Sequence, residues 1–367
     1  MLSRACAFAS VALALSILTS TGVMATAQRT FVAPNGNDAN PCSIAAPCRG
    51  FAAAVTKTNA GGEVIVQDSA GYGAVTITKP ISIISPPGIY AGVSVVSGNG
   101  VTVNAPGATV VLRGLSINGQ GGANGILVQQ ATRVRIESCV VSGMGAVGIY
   151  HAAGGAEMIV LDTIVRDNVD GVALVATDAS IMLDRVHSEH NQNTGFYIAP
   201  TTGSVKVSAT IVDSVLAYNG VNGVWADTVG DAATIILVER SVMSNNGNDG
   251  FLASSGAGGS KAQVTLTRSA ISSNGADGIL IDGEAPGLVD GTVSENAVLG
   301  NGGDGIQVIS TGNVMGAQIV FSANSSASNQ SFDVSCKWPA SILSHDNNLV
   351  TSAIQNIGGC YGHLIPQ

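Results

Sequence analysis

The sequence predicts an all-β chain wound as a parallel β-helix, and three observations carry that expectation. Glycines at 125, 148, 171, 195, 223, 250, 278 and 305 recur at intervals of 23, 23, 24, 28, 27, 28 and 27 residues, a period that belongs to stacked repeat architectures. Each is followed by an apolar residue (Ile126, Ile149, Val172, Phe196, Val224, Phe251, Ile279, Ile306), and the third position is apolar everywhere except His151. Alternation of this kind is what a strand with one face inward requires. Finally, Asn168, Asn191, Asn219, Asn246, Asn274 and Asn301 appear once per repeat, just ahead of the glycine. At one corner of a coil their amides can hydrogen-bond along the stack, with the glycine supplying the positive φ that the bend needs.

Composition agrees with a folded, turn-rich β protein. Of the 367 residues, 46% are hydrophobic and 11% charged, and 47 are glycine without a three-residue period; disorder and collagen are both excluded. The chain opens on Arg4 and an apolar run ending in Ala25-Thr26-Ala27, the pattern of a cleaved export signal over residues 1–27. The mature protein is expected to begin at Gln28 and to be secreted or periplasmic, with no later run long enough to span a bilayer. Removing Arg4 takes the formal charge from -9 to -10, which speaks against nucleic-acid partners. In an oxidising compartment the close pairs Cys42 with Cys48 and Cys336 with Cys360 read as disulfides, and Cys139 as a buried thiol.

With two or three short strands per repeat and no helical pattern between them, the chain resembles the right-handed parallel β-helix proteins of the pectate-lyase-like superfamily. The resemblance covers the coils from Val64 to Asn329 and the opening segment, where "RGFAAAVTKTNA" would form a short helix plugging the first coil. It implies an N-terminal cap over 28–63, a β-helix over 64–329 and a C-terminal cap over 330–367. Members include lyases, hydrolases, esterases, epimerases and adhesins, so the fold does not choose an activity. The Gly-His-Gly and Arg-Ile-Lys motifs of polygalacturonase-like hydrolases are missing from the sequence.

The glycine register also places candidate site residues. Position two after the glycine points outward and holds Tyr150, Tyr197 and Trp225, three large rings in a chain that is 4% aromatic; such rings suit stacking on sugars. Position four holds Asp227 and Asp282, two coils and so about 9–10 Å apart on one face, a separation open to an acid and base of glycoside hydrolysis. Asp249, Asp277 and Asp304 precede successive glycines and form a weak candidate calcium site, although aspartate is also a common turn residue there. His187 and Glu189 share a strand face but His190 turns away, which disfavours zinc. Asp162, Arg185, Asp213, Arg240, Arg268 and Glu295 read as charge pairing between coils on a solvated surface.

The functional expectation is an exported protein that binds, and at Asp227 and Asp282 cleaves, a neutral or weakly acidic polysaccharide or cell-surface glycan. A non-catalytic adhesin or scaffold is the alternative. Lyase action would need a base and calcium.

Overall fold

A computed structural model of the chain describes residues 27–200, 205–256, 258–311, 315–345, 347–351, 354–357 and 361–364. The export signal expected over 1–27 therefore lies outside the described residues except for Ala27, which begins the first strand, Ala27–Val32. Every coil gives one strand to each of three parallel sheets, so the chain is a solenoid of about 12 turns. Sheet I has 14 strands and sheets II and III have 12 each. One repeat shows the plan: Ala233–Glu239 in sheet I, Val242–Ser244 in sheet II, Phe251–Ser255 in sheet III. Backbone groups pair from coil to coil, which leaves the two ends as the places needing cover.

The N-terminal end is covered by the only helix among the described residues, Phe51–Lys57, which buries Phe51, Ala54 and Val55. Its start is held by Asp38, whose Oδ1 accepts the amides of Arg49 at 2.8 Å and Gly50 at 2.9 Å. Beside it lies the Cys42–Cys48 disulfide. Cys336 is also disulfide-bonded; its expected partner, Cys360, lies outside the described residues. Cys139 is a buried free thiol, and burial pushes it up to about 12. At the other end the three ladders run on through Val334–Lys337 in sheet III, Ser341–His345 in sheet I and Leu349–Val350 in sheet II, with Tyr361–Leu364 as the last strand of sheet I. Stacking thus continues beyond Asn329, where a separate cap was expected, because these segments still offer strand hydrogen bonds in register.

Between sheets I and II the chain turns through a single left-handed residue per coil: Asp162 (φ 48°), Arg185 (53°), Asp213 (48°), Arg240 (47°), Arg268 (50°) and Glu295 (58°). The charges at this corner pair between coils, Arg185 to Asp162 at 2.6 Å and Arg240 to Asp213 at 2.8 Å. Both pairs are solvent-exposed and contribute little to stability.

Between sheets II and III lies the asparagine corner. Each asparagine donates from Nδ2 to the Oδ1 of the next, at 3.1 Å from Asn168 to Asn191, 2.9 Å to Asn219, 3.0 Å to Asn246, and 2.9 Å for each step to Asn274, Asn301 and Asn329. All are buried. The expected role of the repeat glycine needs correction, because the positive φ falls on the residue before the asparagine: Asp167, His190, Tyr218, Asn245, Ser273 or Gly300. Glycine is demanded instead by close approach of coils. A Cβ on Gly250 would sit 2.7 Å from the Gly278 carbonyl oxygen and 2.7 Å from Nδ2 of Asn274.

Inside, positions one and three after each glycine are fully buried from Ile126 to Val308, in columns that include Phe196 and Phe251. His151 is buried among them, with Nε2 3.3 Å from the Ala156 carbonyl oxygen and Nδ1 without a partner. Burial lowers this imidazole to about 4.

Candidate functional site

Sheet III places the outward residues of the predicted site in register. Tyr197 pairs with Trp225, and Trp225 with Leu252. The two rings lie 5.0 Å apart between centroids at 50°, on adjacent coils whose inward neighbours Val224 and Ala226 are anchored in the core. They wall a cleft of about 200 Å³ with Asp170, Asn193, Thr194 and Val221. Burial, with Asp227 and Asp170 close by, raises the Tyr197 phenol. Tyr150 stays outside the pair, because Ala173 occupies the coil between it and Tyr197. A larger groove of about 370 Å³ runs past Thr132, Glu157, Asp178 and Lys206 at the turn into sheet I, but no ring lines it.

The carboxylates follow on the same strands. Asp227, Ser254 and Asp282 are successive register partners, so the two acids are two coils apart, as the spacing predicts. Ser254 links Asp227 to the Trp225 ring: its Oγ donates to Asp227 Oδ1 at 3.1 Å and accepts from Trp225 Nε1 at 3.4 Å. Asp282 is different. Its Oδ1 is enclosed and has no hydrogen-bond partner, and burial, reinforced by Glu284, raises its carboxyl. The two acids therefore occupy unlike surroundings, one hydrogen-bonded and one with an unsatisfied oxygen.

The column Asp249, Asp277, Asp304 is occupied by backbone. Asp249 Oδ1 accepts the amide of Asp277 at 3.0 Å, Asp277 Oδ1 that of Asp304 at 2.7 Å, and Asp304 Oδ1 that of Phe332 at 3.0 Å. Gln307 Nε2 donates to the second oxygen of Asp304 at 2.7 Å. Among the described residues no group of three or more His, Cys, Asp or Glu side chains is placed to hold a metal ion. His187 and Glu189 flank the buried Ser188, while His190 stacks on Tyr218 with centroids 5.1 Å apart.

These buried carboxyls give stability a pH dependence with a definite sign. Burial lifts Asp277 to about 6 from the ordinary 3.8, with Asp249 and Asp304 adding repulsion. Between those values the folded chain keeps a proton that the unfolded chain has lost, so this group's contribution declines as pH rises through the window. His151 acts oppositely: lowered to about 4 from 6.5, it costs stability as pH falls through that range. Asp277→Asn removes the first slope and leaves the second. Urea unfolding across pH 4–6.5 is expected to show a steeper loss on acidification in the variant than in wild type; parallel curves would contradict the assignment.

Two features escaped the sequence reading. Asp170 and Asn193, each two residues after a corner asparagine, line the cleft with the rings. A second ladder starts one residue after the charged column at Ser214, Ser241, Ser269 and Asn296, all buried, and runs on through Asn324 to Asn348, each side-chain oxygen accepting the amide of the preceding coil. Its signal was a small polar residue directly after Asp213, Arg240, Arg268 and Glu295.

A family model described as a right handed beta helix region matches residues 99–225 and 194–362. Among solved structures, the A-module of Azotobacter vinelandii mannuronan C-5 epimerase AlgE6 is similar at 16% identity and a TM-score of 0.54, over 84% of this chain and 92% of that one. A mutant of the periplasmic alginate epimerase AlgG is similar at 12% identity and a TM-score of 0.53, over 83% of this chain and 77% of that one. No curated protein matches the chain.

Proposed function

Since the chain belongs to the right-handed β-helix family, we propose that it is an exported protein that binds polysaccharide on the outer face of sheet III. The observation that carries this reading is the Tyr197–Trp225 ring pair beside its cleft. Large rings held on a rigid sheet offer sugars an apolar face at little entropic cost, and the polar rim from Asp170, Asn193 and Thr194 can take up hydroxyls. Similarity in fold to two epimerases whose names specify mannuronan or alginate supports a polysaccharide as the ligand class. Export is supported by the Cys42–Cys48 disulfide, and no helix among the described residues is long and apolar enough to cross a membrane.

The test is a glycan array followed by titration of each hit. Trp225→Ala is expected to weaken binding by about 1–3 kcal/mol, the range for stacking platforms, with the melting temperature nearly unchanged because the ring lies outside the coil core. Unchanged affinity would remove the reading, and a collapse of stability would make Trp225 part of the packing.

A second reading, hydrolysis, rests on the contrast between the two carboxylates. The raised Asp282 is suited to donate a proton and Asp227 to activate water across the gap between coils. Asp227→Asn and Asp282→Asn should each reduce release of new reducing ends by orders of magnitude. Binding without any such release by wild type supports an adhesin or scaffold instead.

A further inference from the structure

The solenoid separates its charges by face. Seven arginines, 113, 133, 135, 166, 185, 240 and 268, lie in sheets I and II or at the corner between them, and each is in an ion pair. The strands of sheet III carry Asp170, Asp227, Asp282 and Glu284, and their one lysine or arginine is Lys337. Lys337 pairs in register with Ile309, and Ile309 with Asp282, which puts that lysine two coils beyond Asp282 and farther still from Asp227. None of the ion pairs among the described residues involves Asp227, Asp282 or Glu284.

Resting on the polysaccharide reading above, we infer that sheet III selects a glycan bearing protonated amino groups, a hexosamine polymer with free amines. Three observations converge on an ammonium group. Asp282 is half-buried and in no ion pair among the described residues, and an ammonium brings a carboxylate three donors. The Trp225 ring shares a strand with Asp227, which Ser254 bonds, and the Tyr197 ring stands one coil before it; aromatic faces attract cations as well as sugars. A polyuronate, by contrast, would bring its carboxylates against Asp227, Asp282 and Glu284 with no cation between them, and like charges so placed repel. An N-acetylated polymer would keep the stacking and lose the charge.

Calorimetric titration separates these cases, using glucosamine hexamer, its N-acetylated counterpart, oligomannuronate and oligolysine in mildly acidic buffer. Wild type is expected to bind the amino hexamer about tenfold more tightly than the acetylated one, equivalent to about 1.4 kcal/mol. Asp282→Asn should lower affinity for the amino hexamer much more than for the acetylated hexamer, and Trp225→Ala should weaken both. Equal affinity for the two hexamers, tighter oligomannuronate binding, or an unaltered preference in Asp282→Asn overturns the amino-glycan assignment while leaving sugar stacking in place. Oligolysine bound as tightly as the amino hexamer overturns it in favour of a basic peptide. If sugars bind and Trp225→Ala changes none of their affinities, it is the stacking reading that fails.

Discussion

Phe251→Ala is expected to lower the unfolding free energy by about 3–5 kcal/mol, the usual cost of emptying a fully buried phenylalanine site. The ring is wholly buried at the first inward position of its strand, in a column with Val224 below and Ile279 above. Both neighbours are held by sheet hydrogen bonds at a fixed coil spacing, so the walls cannot close on the space left behind. Because coils touch only their neighbours, the damage should be local. Hydrogen exchange is expected to accelerate first in the coils containing residues 224–228, 251–255 and 279–284, and the cleft beside Tyr197 should follow. A loss below about 1 kcal/mol, within reach of a collapsed site, would show that the column is less rigid than described.

Asn246→Ala is expected to cost about 3 kcal/mol, since a buried polar group left unpaired costs about 1–3 kcal/mol and this change strips several at once. Asn246 Oδ1 accepts both the backbone amide and Nδ2 of Asn219, at 3.1 Å and 3.0 Å. Its Nδ2 donates to the Leu216 carbonyl at 3.1 Å and to Asn274 Oδ1 at 2.9 Å. After substitution the Asn219 amide has no acceptor in a place water does not reach. The corner is separate from the outward strand face, so glycan affinity of the folded variant should hold. Denaturant unfolding paired with titration checks both halves; a variant that melts normally but no longer binds would mean the corner itself contacts ligand.

The architecture was legible because repetition turns one alignment into many positions. Fixing Gly250 against Gly278 assigns Phe251 and Ala253 to the core and Leu252 and Ser254 to the surface, and the same offset correctly set Tyr197 beside Trp225 and Asp227 two coils from Asp282. What was not legible depends on side chains that do not repeat. The left-handed corner residues Asp167, His190, Tyr218, Asn245 and Ser273 share a backbone conformation but no chemistry, so the demand for positive φ was assigned to the conspicuous glycines instead. Ser254 was visible only as a small polar residue, yet it joins the ring pair to Asp227. The unsatisfied oxygen of Asp282 arises from packing around one carboxylate and left no pattern in the sequence.

The asparagine corner has a direction. At every step onto an asparagine Oδ1 the coil nearer the N-terminus donates and the coil nearer the C-terminus receives, beginning with the Met144 amide on Asn168 Oδ1 at 3.0 Å, while the second Nδ2 hydrogen turns back to a backbone carbonyl, as from Asn246 to Leu216. The side-chain dipoles therefore add along the axis with their positive ends toward the C-terminus, as peptide dipoles add in a helix. The last donor, Asn329 Nδ2, meets Asp333 Oδ1 at 2.8 Å. A carboxylate receives and has no hydrogen to pass on, and its negative charge faces the positive end of the array. Asp333 is thus a chemical stop signal for the relay.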